Sequence, residues 1–374
     1  MRKIAVVTGS RADYWLLRPL MQKLGPDSLI LIATGDHLTG SGIRQILEDK
    51  FVIHKEIECL IQKDTYLAMA KAISRGIANF SEAFCELKPD IIVVLGDRYE
   101  AYAVASAAYS LKIPLAHIHG GEVTRGALDD GYRHAISKMA NLHFVSHEDY
   151  RQRLLRMGEG PTTVFTVGAI GLDNLRPFDF KDREGFFTRY PELKDKDYFI
   201  LTFHSPTLTH RLLNDQTHAI ITALESFSEY TIAVTQSNMD PGGIYLNKVW
   251  SEWASINKRI HFIPTFGDDY LLAATFSKII IGNSSSGILE IPYLNRPVLN
   301  IGDRQEGRVV PKGVYCAEVN AEDISAKIQE ILDRYQGSDR IYGNPGEISK
   351  NIADVLLHIP LEGIIYKRFH DAKE

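Results

Sequence analysis

The sequence predicts an α/β protein built from two Rossmann-like, doubly wound domains facing a cleft, and three observations lead there. Short apolar, β-rich runs alternate with helical patterns along the whole chain. The runs fall into two series. Nearly every run is followed directly by a polar turn. Continuous apolar strands alternating with helices argue for parallel sheets covered on both faces. In such sheets ligands gather outside the carboxyl ends of the strands.

The first series comprises residues 4–8, 29–33, 91–95, 115–118, 142–146 and 164–167. The second comprises residues 198–203, 231–235, 260–263, 278–281 and 298–301. Between them, residues 171–196 hold Arg176-Pro177-Phe178-Asp179 and Lys194-Asp195-Lys196-Asp197 but no strand-like run, so the join falls there. We expect a first domain over residues 1–175, a second over 190–355 and a tail over 356–374. Residues 348–357 read as helical.

A chain of 374 residues has length for two cores. With 45% hydrophobic and 24% charged residues it reads as an ordinary globular enzyme. A formal charge of −5 argues against a broad nucleic-acid surface. No apolar run suits a membrane span. The N-terminal apolar stretch is too short for a signal peptide. Cys59, Cys85 and Cys316 are scattered and without metal spacing, so they read as core thiols of a cytoplasmic protein.

The residues after each strand carry the chemistry. They are Gly9-Ser10-Arg11-Ala12-Asp13, Gly96-Asp97-Arg98, His119-Gly120-Gly121-Glu122, His204-Ser205-Pro206, Gln236-Ser237-Asn238, Gly282-Asn283-Ser284-Ser285-Ser286-Gly287 and Gly302-Asp303-Arg304-Gln305. The serine turn reads as strand, small-residue turn, helix, an arrangement that presents N–H groups and hydroxyls to phosphate oxygens. Glu290, one turn further, can accept from sugar or ribose hydroxyls. Arg11, Arg98, Arg304 and Arg308 are the candidate anion contacts. No G-x-G-x-x-G follows the first strand, so a dinucleotide cofactor is not expected.

Asp97, Glu122, Asp129 and Asp130 are the carboxylates placed for acid/base work. One of the Asp129–Asp130 pair reads equally as an N-cap. His117 and His119, two apart, share a strand face. No complete ligand set accompanies them, and no metal is expected. Ser285 lacks a nucleophile elbow.

Taken in order, these motifs resemble the UDP-N-acetylglucosamine 2-epimerase family, and within it the hydrolysing branch. The matching pieces run from Gly9-Ser10-Arg11-Ala12-Asp13-Tyr14 to Gly302-Asp303-Arg304-Gln305-Glu306-Gly307-Arg308. Between these lie Gly96-Asp97-Arg98, His117-Ile118-His119-Gly120-Gly121-Glu122, Asp129-Asp130 with Arg133-His134-Ala135-Ile136, Phe203-His204, and Gly282–Gly287 with Glu290. The resemblance implies a GT-B architecture. It implies release of N-acetylmannosamine and UDP from UDP-N-acetylglucosamine, as in sialic-acid-type biosynthesis, through a glycal and without a cofactor. It implies catalytic groups at Asp97 and Asp129, phosphate contacts at Ser284, Ser285, His204 and Arg304, and a ribose contact at Glu290. Arg11, Arg98 and Asn238 complete the expected substrate contacts. Many relatives carry Glu where this chain has His119, so either His119 or Glu122 takes that role. A modified UDP- or GDP-linked 2-acetamido sugar is the alternative substrate, and a GT-B glycosyltransferase or a non-catalytic sensor the alternative class. A nucleotide sugar is the expected partner, with no nucleic acid or membrane, in a homodimer.

Overall fold

The computed structural model describes residues 1–371 except 39–41, 60–64, 126–127, 176–181, 207–211 and 239–241. The chain divides into two compact units. One comprises residues 1–122, 129–176 and 342–374, and the other residues 123–128 and 177–341.

The first unit is organised on a seven-stranded parallel sheet. Its strands are β1 (Ile4–Thr8), β2 (Leu29–Thr34), β3 (Ile53–Ile57), β4 (Ile91–Leu95), β5 (Leu115–Ile118), β6 (Leu142–Val145) and β7 (Val164–Thr166), in the spatial order β3-β2-β1-β4-β5-β6-β7. The second unit has six: β8 (Tyr198–Thr202), β9 (Thr231–Thr235), β10 (Ile260–Ile263), β11 (Ile279–Gly282), β12 (Val298–Ile301) and β13 (Val314–Ala317), ordered β10-β9-β8-β11-β12-β13. In both sheets the order reverses beside the first strand, which opens a crevice at the strand ends.

Alternation along a strand explains why both faces are filled. On β8, Phe199 and Leu201 enter one cluster with Ile220, Trp250 and Ile328. Tyr198 and Ile200 enter another with Phe186, Ala273 and Ile291. In the first unit Ala5 and Val7 pack with Ile32, Phe80, Val94 and Val104, while Ile4 and Val6 are buried as well. Each such side chain contributes roughly 1.5–3 kcal/mol by leaving water. Helices join the strands with local signals. Ser10 caps the helix Arg11–Leu24 by accepting from the Asp13 N–H at 3.2 Å, and Gly25 ends it at φ 71°.

Two strands escaped the sequence reading, β3 and β13, and both lie at sheet edges. β3 is Ile-His-Lys-Glu-Ile, with intermediate and exposed residues alternating up to the buried Ile57. β3 thus carries no continuous apolar run, as an edge strand can, whereas β13 is the short apolar run Val-Tyr-Cys-Ala. Two of the cysteines also differ from expectation: Cys59 is buried, whereas Cys85 and Cys316 are exposed. No helix of the described residues is long and apolar enough to cross a membrane.

The C-terminal segment departs from the expected domain plan. Residues 342–374 group with the first unit, so the helix Ile348–His358 belongs neither to the second domain nor to a separate tail. The reason is a buried carboxylate. Asp173, 6% exposed, accepts the Gly346 N–H and, at 2.6 Å, the Ser349 N–H at the start of that helix. The Ser349 amide is an orphan donor of the helix N-terminus, the Gly346 amide lies just before its N-cap, and a negative charge there is favoured by the helix dipole. Asp173→Ala leaves the buried Ser349 N–H and the half-buried Gly346 N–H without their acceptor and should cost about 1–3 kcal/mol. Urea unfolding of the variant measures it, and a change under about 0.5 kcal/mol, the scale of a surface substitution, would refute this anchoring.

Candidate functional site

In the first unit, polar residues at the ends of β4 and β5 converge on one guanidinium, with Ser146 after β6 bonded to one of them. Arg133, 2% exposed, lies on the helix Asp129–Met139. Its Nη2 pairs with Asp97 Oδ2. Its Nη1 donates to Glu122 Oε2 at 3.1 Å and to the His119 carbonyl at 3.2 Å. Glu122 has no exposed surface, and Ser146 Oγ donates to its Oε1 at 2.6 Å. A buried charge persists only when paired and hydrogen-bonded, and this cluster meets that requirement. Asp97 stays 22% exposed at its side chain, so it is the member of the cluster open to a ligand.

His119 adopts φ 63°, a left-handed conformation uncommon for a non-glycine residue. The turn carries the chain out of β5, which ends at Ile118, and the two histidine rings take different partners. The Ile170 N–H donates to His119 Nε2 at 3.2 Å, which leaves the ring proton on Nδ1, 3.2 Å from Glu122 Oε1. Both ring nitrogens are thereby engaged. His117 Nε2 donates to the Gly96 carbonyl at 2.7 Å, and its Nδ1 accepts from Ser137 Oγ at 3.1 Å. Burial lowers its pKa to about 3, so it is neutral. Gly120 permits this approach: a Cβ there would lie 2.8 Å from His117 Nδ1 and 2.9 Å from Ser137 Oγ. No three His, Cys, Asp or Glu side chains among the described residues group as a metal site requires.

Asp129 opens the helix Asp129–Met139, half-buried, and Asp130 pairs with His134 at 3.4 Å. Arg98 makes two hydrogen bonds to the buried Glu100, both at 3.2 Å. These two residues line a small cavity with Gly9, Asp13 and Thr34 at the ends of β1, β2 and β4. Burial raises Asp13 to about 6 against the lowering effect of Arg98. Arg11 is exposed at the first residue of its helix.

In the second unit the organising residue is Asn283, 1% exposed. Its Oδ1 accepts the His204 N–H at 2.7 Å and its Nδ2 donates to the His204 carbonyl at 2.8 Å. Its own carbonyl accepts from Arg304 Nη1 at 3.1 Å and Gln305 Nε2 at 2.9 Å. The ends of β8, β11 and β12 are thus tied together. The Asn238 N–H donates to His204 Nδ1 at 3.1 Å, so the ring proton resides on Nε2. Burial, and then the Arg304 charge, lower His204 to about 3. His204 is a neutral imidazole fixed as an Nε2–H donor. Ser284, Ser285 and Ser286 follow Asn283, and Ser286 Oγ lies 2.7 Å from Tyr270 Oη.

Sequence reasoning named most of these residues but not Arg133 as a site residue, nor Asn283. The available signal for Arg133 was its position four residues after Asp129, on the same helix face.

A protein-family model described as UDP-N-acetylglucosamine 2-epimerase matches residues 23–357. The chain belongs to the UDP-N-acetylglucosamine 2-epimerase family. It is 35% identical to the GDP/UDP-N,N'-diacetylbacillosamine 2-epimerase (hydrolyzing) of Campylobacter jejuni, covering 99% of each chain. It is 33% identical to polysialic acid biosynthesis protein P7 of Escherichia coli, over 100% of this chain and 98% of that one. These similarities are consistent with the hydrolysing branch of the family. A crystal structure of Methanocaldococcus jannaschii UDP-GlcNAc 2-epimerase in complex with UDP-GlcNAc and UDP superposes with TM-score 0.82 at 17% identity. That match covers 95% of this chain and 99% of the other, and it supports the GT-B-like two-domain fold.

Glu290 gives this site a pH signature. It is 8% exposed, and burial alone raises its pKa from 4.5 to about 7. The folded protein therefore holds this proton more tightly than the unfolded chain. The resulting stability is complete below about pH 4.5 and is lost as pH rises through about 7. Without ligand, Glu290→Gln should gain on the order of 3 kcal/mol relative to wild type between pH 4.5 and pH 8. Denaturant unfolding at the two pH values tests this, and a pH-independent difference would contradict it.

Proposed function

We propose that this protein is a hydrolysing 2-epimerase of a nucleotide-linked 2-acetamido sugar. The first substrate class is a UDP- or GDP-linked N,N'-diacetylbacillosamine. The second is UDP-N-acetylglucosamine, which would yield N-acetylmannosamine and UDP. The observation that carries the reading is the Asp97–Arg133–Glu122 bridge: a carboxylate open to ligand, held by a buried arginine. Full-length similarity to relatives named as hydrolyzing enzymes of diacetylbacillosamine nucleotides supports the order of the two classes.

C2 of such a sugar is not adjacent to a carbonyl, so its proton is not acidic in the ground state. Elimination supplies the way around. A carboxylate of the first unit, Asp97 or Asp129, takes the C2 proton. The C2–H electron pair becomes the C1=C2 bond as C1–O breaks, and its electrons leave with the nucleoside diphosphate. In this reading the second unit stabilises the charge that develops there. His204 donates from Nε2 without needing to be protonated, and the serine turn and Arg304 add further donors. Glu290 accepts from the ribose. Water then adds its oxygen to C1 while C2 gains a proton on the opposite face, giving the epimeric free sugar. Arg11, Arg98 and Asn238 remain proposed substrate contacts.

Incubation with a panel of UDP- and GDP-linked 2-acetamido sugars, with products identified by NMR, tests the reading. In D₂O the free sugar should carry deuterium at C2. In H₂¹⁸O, before anomeric exchange, the label should sit at C1. Label on the phosphate would mean attack at phosphorus, and transfer only in the presence of an acceptor would make the protein a glycosyltransferase.

The two catalytic carboxylates should behave alike. Asp97→Asn and Asp129→Asn should each lower kcat by about 10²-fold or more while UDP binding persists. Because Glu122 balances the buried Arg133 charge that also holds Asp97, Glu122→Gln should lose more turnover than His119→Asn. The reverse ranking in steady-state kinetics would return the proton-transfer role to His119.

A further inference from the structure

The helix that carries Asp129 and Arg133 is held at its far end by the C-terminal segment. Lys367 Nζ donates to the carbonyls of Ser137, Lys138 and Ala140 at 3.1, 2.9 and 2.7 Å. Those of Ser137 and Lys138 belong to the last turn of the helix Asp129–Met139, where carbonyls lack partners within the helix. The same ammonium lies 2.5 Å from Glu159 Oε2. Glu159 is buried; despite that burial, it is drawn down to about 2 by the His143 hydrogen bond and the two lysines, Lys138 and Lys367. His143 Nε2 donates to it at 3.0 Å and Lys138 Nζ at 2.7 Å.

The segment around Lys367 is seated by several further contacts. Asn141 Nδ2 donates to the Ile364 carbonyl at 3.0 Å, and the His370 N–H to the Gly158 carbonyl at 3.0 Å. The Phe369 ring covers Gly158, where a Cβ would lie 2.4 Å from it, and stands 5.1 Å from Lys138 Nζ. Gly158 has φ 86°, so both its backbone and its surroundings exclude a larger residue.

We propose that residues 361–370 form a strap that positions the catalytic helix, with Lys367 as a positioning residue for the reaction. The proposal rests on the epimerase reading for the reaction it serves, though the strap itself does not. A cation on the last turn satisfies carbonyls and complements the helix dipole. The 11-residue helix is about 16 Å long, so tilt at this end moves Asp129 and Arg133 at the other. Proton transfer tolerates such displacement poorly, whereas nucleotide binding by the second unit does not depend on it.

The test compares Lys367→Met, Lys367→Arg and Phe369→Ala in the full-length chain. Turnover is measured with UDP-N,N'-diacetylbacillosamine, UDP affinity by calorimetry, and amide hydrogen exchange over residues 129–141. Lys367→Met should lower kcat by about tenfold with KM and UDP affinity within about twofold, and speed exchange in residues 137–141 by about tenfold. Lys367→Arg should recover most of both effects, and Phe369→Ala should reproduce a smaller part. Wild-type kcat and exchange in Lys367→Met would overturn the proposal. So would a loss of thermal stability with kcat unchanged. Should the wild-type protein turn over no nucleotide sugar, the epimerase reading fails on its own. The local exchange pattern then decides the strap alone, present if exchange rises only in residues 137–141 and absent if it does not.

Discussion

The first unit depends on one buried cation. Arg133 is 2% exposed, and a guanidinium cannot shed its charge to suit an apolar surrounding. It therefore needs acceptors, and they come from three places: Asp97 after β4, the His119 carbonyl after β5, and Glu122 three residues later. Removing either carboxylate leaves part of a buried charge uncompensated, which typically costs several kcal/mol, about 3–5. The same requirement that keeps the arginine paired also sets the ends of two strands and one helix relative to each other. His117 adds a second tie along that helix, from the Gly96 carbonyl to Ser137.

The second unit solves a different problem with a neutral hub. Asn283 uses its side chain on both backbone groups of His204 and its carbonyl on Arg304 and Gln305. The Asn238 amide then sets the imidazole tautomer. An imidazole held neutral by burial donates one hydrogen bond in a fixed direction and is insensitive to pH near neutrality. Such a donor is suited to a leaving diphosphate, whose charge grows during bond cleavage. The carboxylates on the other unit are suited to moving a proton. In the proposed elimination, the carboxylates would take the proton and the neutral donors would meet the leaving diphosphate.

Much of this was legible in the chain because its signals are local. β-Rich apolar runs marked the buried strands, and the residues just after them marked the candidate contacts. The edge strand β3 was missed because its polar-alternating sequence carries no continuous apolar run, whereas β13, Val-Tyr-Cys-Ala, is an apolar run of four residues with no such reason. His117 and His119 lie two apart, but β5 ends at Ile118 and His119 follows it. Spacing assigns them one face only while the strand continues, and the left-handed backbone at His119 ends it.

The sequence by itself determined the two α/β units, the family, and the polar residues at the strand ends, since each follows from periodicity or from short ordered motifs. Tertiary structure decided which of those residues bear on one another. Arg133 became the center of the carboxylate cluster only when its helix met the ends of β4 and β5. The segment after residue 341 joined the first unit because Asp173 and Glu159 offer buried charges that Gly346, Ser349 and Lys367 satisfy. Those partners lie more than 170 residues apart, and no local pattern records a pairing whose cause is the burial of a charge elsewhere in the chain.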